Sequence, residues 1–175
     1  MIGYALCGSF CTLSRSVEIL TQLKEKGYDI LPIMSEITAT TNTRFGKAAD
    51  FTDRIQSICG RPIIRTIPEA EPLGPACPLE ALVICPCTGN TLAKLANGIT
   101  DTAVTMACKA HLRNGRPLVL AISTNDGLAG AAENIGKLLG RRHFYFIPFG
   151  QDDPHGKPYS IVAHMELLPQ ALASA

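Results

Sequence analysis

The stretch Pro86-Cys87-Thr88-Gly89-Asn90-Thr91-Leu92-Ala93-Lys94-Leu95-Ala96-Asn97-Gly98-Ile99-Thr100-Asp101 decides how this sequence is read. The apolar run before it, Ala81-Leu82-Val83-Ile84-Cys85, has the length and composition of a buried strand. The polar turn that follows opens a helix, and Gly98 ends it. A strand, a Thr-Gly-Asn-Thr turn and a new helix put free backbone N–H groups and hydroxyls beyond a strand end. That is where open α/β sheets bind their ligands. A plain helix cap would need only one of these residues.

Outward from this stretch the same alternation repeats. Ile2–Cys7 predicts a first strand, and Leu13, Val17 and Leu20 mark an apolar helix face that Gly27 closes. Asp29–Met34 predicts a second strand. Ala48, Phe51, Ile55 and Ile58 form a second helical stripe, ended by Gly60 and Pro62. Pro117–Ile122 and Phe144–Ile147 predict further strands, Thr102–Arg113 and Gly127–Leu139 the intervening helices, and Met165–Leu172 a terminal helix. Strands alternating with helices imply a mostly parallel sheet flanked by helices, an α/β, Rossmann-like three-layer domain spanning residues 1–175. Ile67–Pro75 and Phe149–Pro158 are rich in Pro, Gly and polar residues and predict irregular loops.

The 175 residues are 46% hydrophobic, enough for one substantial core. The net charge of +1 and 6% aromatic content give no reason to invoke nucleic acid or a membrane surface. No apolar stretch is long enough to span a bilayer, and Met1–Leu6 lacks the basic start of a signal peptide. A cytoplasmic protein is therefore expected. The seven cysteines include no Cys-x-x-Cys pair, so they read as buried or incidental thiols rather than metal ligands. Cys11 and Cys87 stand apart because both fall in predicted crevice loops. Asp152, Asp153 and His155 are adjacent on a Gly/Pro loop without ligand spacing, and no metal is expected there either.

Two further strand ends resemble the first. Gly8-Ser9-Phe10-Cys11-Thr12 runs straight into a helix, so hydroxyls and a helix N-terminus face outward together, an arrangement suited to phosphate. It is not Gly-x-Gly-x-x-Gly, and Ser35 stands where a dinucleotide site would carry an acid to grip ribose. A mononucleotide such as a flavin phosphate suits it better. Ile122-Ser123-Thr124-Asn125-Asp126-Gly127 is the third polar turn. Arg44 offers a bidentate partner for a carboxylate, with Lys47 nearby. No histidine presents itself as a catalytic group, and the catalytic residues are left unassigned.

Pro86–Asp101 resembles the signature of the flavin-dependent cysteine decarboxylase family, which also contains flavin prenyltransferases. The segments Thr41-Asn42-Thr43-Arg44-Phe45-Gly46, Ala70–Pro75, Arg113–Pro117, Ser123–Asp126 and Phe149–Pro154 resemble a branch of it found in spore-forming bacteria. The resemblance implies a flavoprotein fold, FMN as cofactor, and homo-oligomers of three chains or a multiple. It also implies oxidation of dihydrodipicolinate to pyridine-2,6-dicarboxylate in the mother cell during sporulation, with a dehydrogenase-like subunit that would bring any NAD(P). On this reading Gly8, Ser9, Phe10, Thr12, Ser35, Thr88, Gly89, Asn90, Thr91, Ser123 and Asn125 hold the cofactor. Arg44, Lys47 and Asn90 then bind a small dicarboxylate. Decarboxylases of the family carry a histidine in the helix after the second strand, and this chain has none between Met1 and Ala110. Their Pro-Ala-Met-Asn-x-x-Met clamp is replaced by Ile122–Leu128. Both departures argue against decarboxylation. They leave a non-catalytic partner of the dehydrogenase-like chain as the alternative role.

Overall fold

In the computed structural model, which describes residues 1–175, the apolar runs form a seven-stranded, mostly parallel sheet. Strands β1 (Ile2–Leu6), β2 (Ile30–Met34), β3 (Leu82–Cys87) and β4 (Leu118–Thr124) carry almost uninterrupted buried positions. That pattern suits strands covered on both faces. The order is β2-β1-β3-β4, all parallel. The chain thus leaves β1 toward one edge and returns to pair β3 on the other side of β1. The ends of β1 and β3 therefore flank a topological switch point, where the following loops diverge and leave a crevice.

Helix α1 (Phe10–Glu25) follows β1, and α3 (Ala48–Cys59) follows the short α2 (Glu36–Thr40). Leu13, Val17, Leu20 and Ile55 pack with Tyr4, Leu6, Met34, Val83 and Val119 on one face of the sheet. On the other face, α5 (Gly89–Asn97), α6 (Ala103–Leu112) and α7 (Ala132–Leu139) set Leu92, Val104, Ala107 and Leu138 against Ala5, Ile84, Leu120 and Ile122. Each fully buried Leu, Ile or Val contributes about 1.5–3 kcal/mol. Tyr4 is one of the large polar side chains buried here. Its hydroxyl donates to Ser16 O at 2.8 Å and so leaves no unpaired group there. No helix is long and apolar enough to cross a membrane.

Four expectations are corrected. Ile67–Pro75 is not irregular: α4 (Ile67–Ala70) runs into a 3-10 turn at Glu71–Leu73. Thr66 caps Glu69 N–H while the Glu69 carboxylate accepts from Thr66 N–H, and Pro68 occupies the first turn, where its missing donor costs nothing. The helix predicted from Gly127 begins only at Ala132, after a turn that Asp126 organises. Residues 151–158 form the expected loop, but Phe149–Gly150 is a strand, β6, that forms a hairpin with β7 (Ile161–Ala163), whose own residues pair antiparallel with Ser123–Thr124. β5 (Phe144–Phe146) pairs with the earlier half of β4. Finally, Cys87 is fully buried rather than in the crevice. A register shift between Ile84 and Cys87 turns Cys85 and Cys87 to opposite faces of the sheet, where simple alternation would put them on one. The chain ends in a 3-10 turn and α8 (Leu168–Ser174).

Candidate functional site

Beyond the ends of β1, β2, β3 and β4 lies a crevice with two lobes that meet at Gly8, Thr88 and Asn90. The first lobe, about 560 Å³, gathers Gly8, Ser9, Phe10 and Thr12 from the β1 loop and Thr88, Gly89 and Asn90 from the β3 turn. Ser123 and Asn125 come from the β4 end, and Arg44 from the loop before α3. The second lobe, about 510 Å³, holds Ser35 and Thr91 with Lys94, Asp101 and Thr102. Both volumes fall within the range of small-molecule sites. Of the residues the sequence assigns to cofactor or substrate, only Lys47 is outside both lobes; it is the exposed residue before α3.

The hydroxyls of Ser9, Thr12 and Ser123 form a triangle. Ser9 Oγ lies 2.8 Å from Ser123 Oγ, and Thr12 Oγ1 lies 3.0 Å from each. This ties the β1 and β4 ends together. It also means that Ser9, at the start of α1, does not cap that helix with its side chain. Phe10 and Cys11, the first residues of α1, therefore have no side-chain cap over their N–H groups, and both line the first lobe. Thr88 does cap α5, accepting from Thr91 N–H at 3.2 Å, and Gly98 closes the helix in the left-handed conformation at φ 71°.

Charge in the crevice is mostly paired. Lys94 bonds both oxygens of Asp101 at 2.8 and 3.0 Å, and Lys94 holds the Asp101 carboxyl below its ordinary range. Lys157 lies 3.1 Å from Asp152, which raises the lysine pKa. Arg44 has no carboxylate partner and stacks over Phe45, 4.8 Å from the ring centre. It is held in a Thr43–Gly46 turn that precedes α3. Cys7 lies beneath the second lobe with Thr91 Oγ1 donating to it at 3.3 Å. Burial pushes its thiol up to about 11, so it stays neutral and unreactive.

Several lining residues carried no role in the sequence. Asp152, Lys157 and Ser160 reach the first lobe because β7 folds back onto β4, and a three-residue strand leaves no periodic signal. Gly127 permits that return: a Cβ there would lie 2.7 Å from Ile161 side-chain carbons. Glu36 lines the second lobe one residue beyond Ser35, so an acid does face the crevice near the end of β2. The Lys94–Asp101 pair lies within the signature stretch, seven residues apart, and its i,i+7 spacing hid the contact. Asp126 lines the first lobe with Thr124 Oγ1 bonded to it at 2.5 Å. No group of three or more His, Cys, Asp or Glu is placed to hold a metal.

Hydroxyls from four strand ends, the uncapped start of α1 and glycine at positions 8 and 89, where backbone approaches the lobes, form a donor set that fits a phosphorylated ligand. Sequence comparison agrees with that class. The model of the Flavoprotein family matches residues 1–137, and the chain belongs to this family. Within it, the chain is 46% identical to the B subunit of dipicolinate synthase from Bacillus subtilis over 174 residues, 99% of this chain and 87% of that protein. The crystal structure of the B subunit of dipicolinate synthase from Bacillus halodurans superposes with a TM-score of 0.89 at 43% identity, covering 99% of this chain and 91% of that one. The FMN-dependent cysteine decarboxylase SpaF shares the fold alone, with a TM-score of 0.74 at 19% identity over 99% of this chain and 95% of its own.

Proposed function

We propose that this chain is the B subunit of a dipicolinate synthase. With a dehydrogenase-like partner, the A subunit, it oxidises dihydrodipicolinate to dipicolinate in the mother-cell cytoplasm of a spore-forming bacterium. The observation that carries this reading is the 46% identity to the B subunit of a known dipicolinate synthase across nearly the whole chain. The crevice supplies the chemistry. Gly8, Ser9, Phe10, Thr12, Ser35, Thr88–Thr91, Ser123 and Asn125 would hold FMN through hydroxyls, backbone N–H groups and the starts of α1 and α5. Bound flavin supplies two-electron redox chemistry, which the aromatisation of a dihydropyridine requires.

Arg44, free of a carboxylate partner in the first lobe, would take one carboxylate of the substrate, with Asn90 beside it. Lys157 lines the same lobe and is the nearer candidate than Lys47 for the other. Any nicotinamide cofactor would belong to the dehydrogenase-like partner. Ile37 and Phe45, 57% and 42% exposed on the crevice rim, suit burial between copies in a homo-oligomer of three chains or a multiple.

Co-purification with the dehydrogenase-like partner tests this reading, together with assay of dipicolinate formation by each protein singly and by the pair. Product from the pair and not from either protein on its own is expected. Equal rates from the dehydrogenase with and without this chain would overturn it and leave a non-catalytic partner.

A further inference from the structure

Turning a dihydropyridine into a pyridine removes two hydrogens. One leaves with two electrons as hydride to a flavin- or nicotinamide-class acceptor, and the other leaves as a proton that needs a base. The inference here rests on the oxidation proposed above and concerns that base.

Few groups in the two lobes can take a proton. No histidine lines either lobe. The Cys7 thiol is neutral, and the carboxylates of Asp101 and Asp152 are each engaged by a lysine. Glu36 is exposed in the second lobe, whereas Arg44 lines the first. Cys11 is exposed in the first lobe and held only by a 3.9 Å contact with Ser9.

Asp126 remains, and it is the best anchored. It is half-buried in the same lobe as Arg44 and forms no ion pair. Thr124 Oγ1 donates to its Oδ1 at 2.5 Å, which leaves Oδ2 without a hydrogen-bond partner. Its backbone carbonyl accepts from Ala129 N–H at 2.9 Å and Ala131 N–H at 3.1 Å, fixing the turn that carries it. Glycine at 89 lets the start of α5 abut the pair, since a Cβ there would lie 2.6 Å from Thr124 Oγ1 and 2.9 Å from Asp126 Oδ1.

The geometry points to Asp126 as the catalytic base that accepts the substrate proton. One carboxylate oxygen is locked by Thr124 and the other is free for the proton. Arg44, in the same lobe, would hold a carboxylate of the substrate. Hydride leaves one ring carbon for the acceptor, the proton leaves its neighbour for Asp126, and the electrons of that C–H bond close the aromatic ring.

The test uses the reconstituted complex of this chain with its dehydrogenase-like partner. Asp126→Asn keeps the Thr124 hydrogen bond and removes the base. Its kcat is expected to fall by about 10²–10⁴, while KM and FMN content stay near wild type. Asp126→Glu, which restores a carboxylate, regains part of the rate. Wild-type kcat in a folded Asp126→Asn complex would overturn the assignment alone. So would a comparable loss in Cys11→Ser that leaves Asp126→Asn active. If the wild-type complex made no dipicolinate, the functional reading would fail and this assignment with it.

Discussion

Gly8 lies where the two lobes meet, and Gly8→Val tests whether a flavin spans them. The nearest neighbours of an ideal Cβ at this position are Ile37 Cγ2 at 3.3 Å and the Phe10 ring at 3.6 Å. Both of those side chains are partly or largely exposed and free to shift. Its backbone is not in the left-handed region, so no strain attends a branched residue there. The free protein should therefore lose little stability, within the ~0.5 kcal/mol typical of surface substitutions. A ligand lying over Gly8 meets three new carbons instead. Overpacking of that kind costs about 1–3 kcal/mol, or about 5- to 150-fold in Kd. Quenching of FMN fluorescence gives Kd, and a thermal melt gives the fold. Wild-type FMN affinity in a folded Gly8→Val protein would refute the placement of the flavin across the lobes.

Three other outcomes follow from the same structure. Arg44→Ala should weaken dipicolinate binding by about tenfold, ~1.4 kcal/mol, the loss of a charge-assisted pair at an open site; calorimetric titration measures it, and an unchanged Kd would remove Arg44 from the substrate site. In the native protein a thiol reagent should label Cys11 rapidly and the half-buried Cys77 more slowly. Cys7, Cys59, Cys85, Cys87 and Cys108 should react only on unfolding, because all are buried and burial raises each thiol pKa. His111 is buried on α6, donating from Nε2 to Pro117 O at 2.8 Å with Nδ1 unpartnered, and burial lowers its pKa. The unfolded chain then takes up this proton first as pH falls, so stability holds above about 6.5 and declines below it. Urea unfolding between neutral and mildly acid pH should show that decline, and His111→Gln should flatten it.

Much of the fold was legible because β1 to β4 are buried on both faces and carry continuous apolar runs, while Leu13, Val17 and Leu20 mark α1 at helical spacing. The failures have local causes. Pro68 and Pro72 read as breakers, yet both sit at helix starts, where proline fits. The pairing of β7 with β4 depends on long-range contact and a three-residue strand, so Lys157 and Asp152 could not be placed in the crevice. Lys47 looked equivalent to Arg44 three residues away, but the Thr43–Gly46 turn sends only Arg44 into the first lobe. The polar turns after β1, β3 and β4 were readable as ligand loops, since strand-end Ser, Thr, Asn and Gly recur in each. The role of Asp126 was not, because it rests on the Thr124 hydrogen bond and the close approach of Gly89.

The most direct test of a flavin site in this crevice is equilibrium titration of the purified wild-type chain with FMN, followed by its visible absorption and fluorescence. Saturation at one FMN per chain is predicted, with quenched fluorescence and a perturbed flavin spectrum. A flavin that keeps its free spectrum in the presence of folded protein, with no saturable binding, would contradict it.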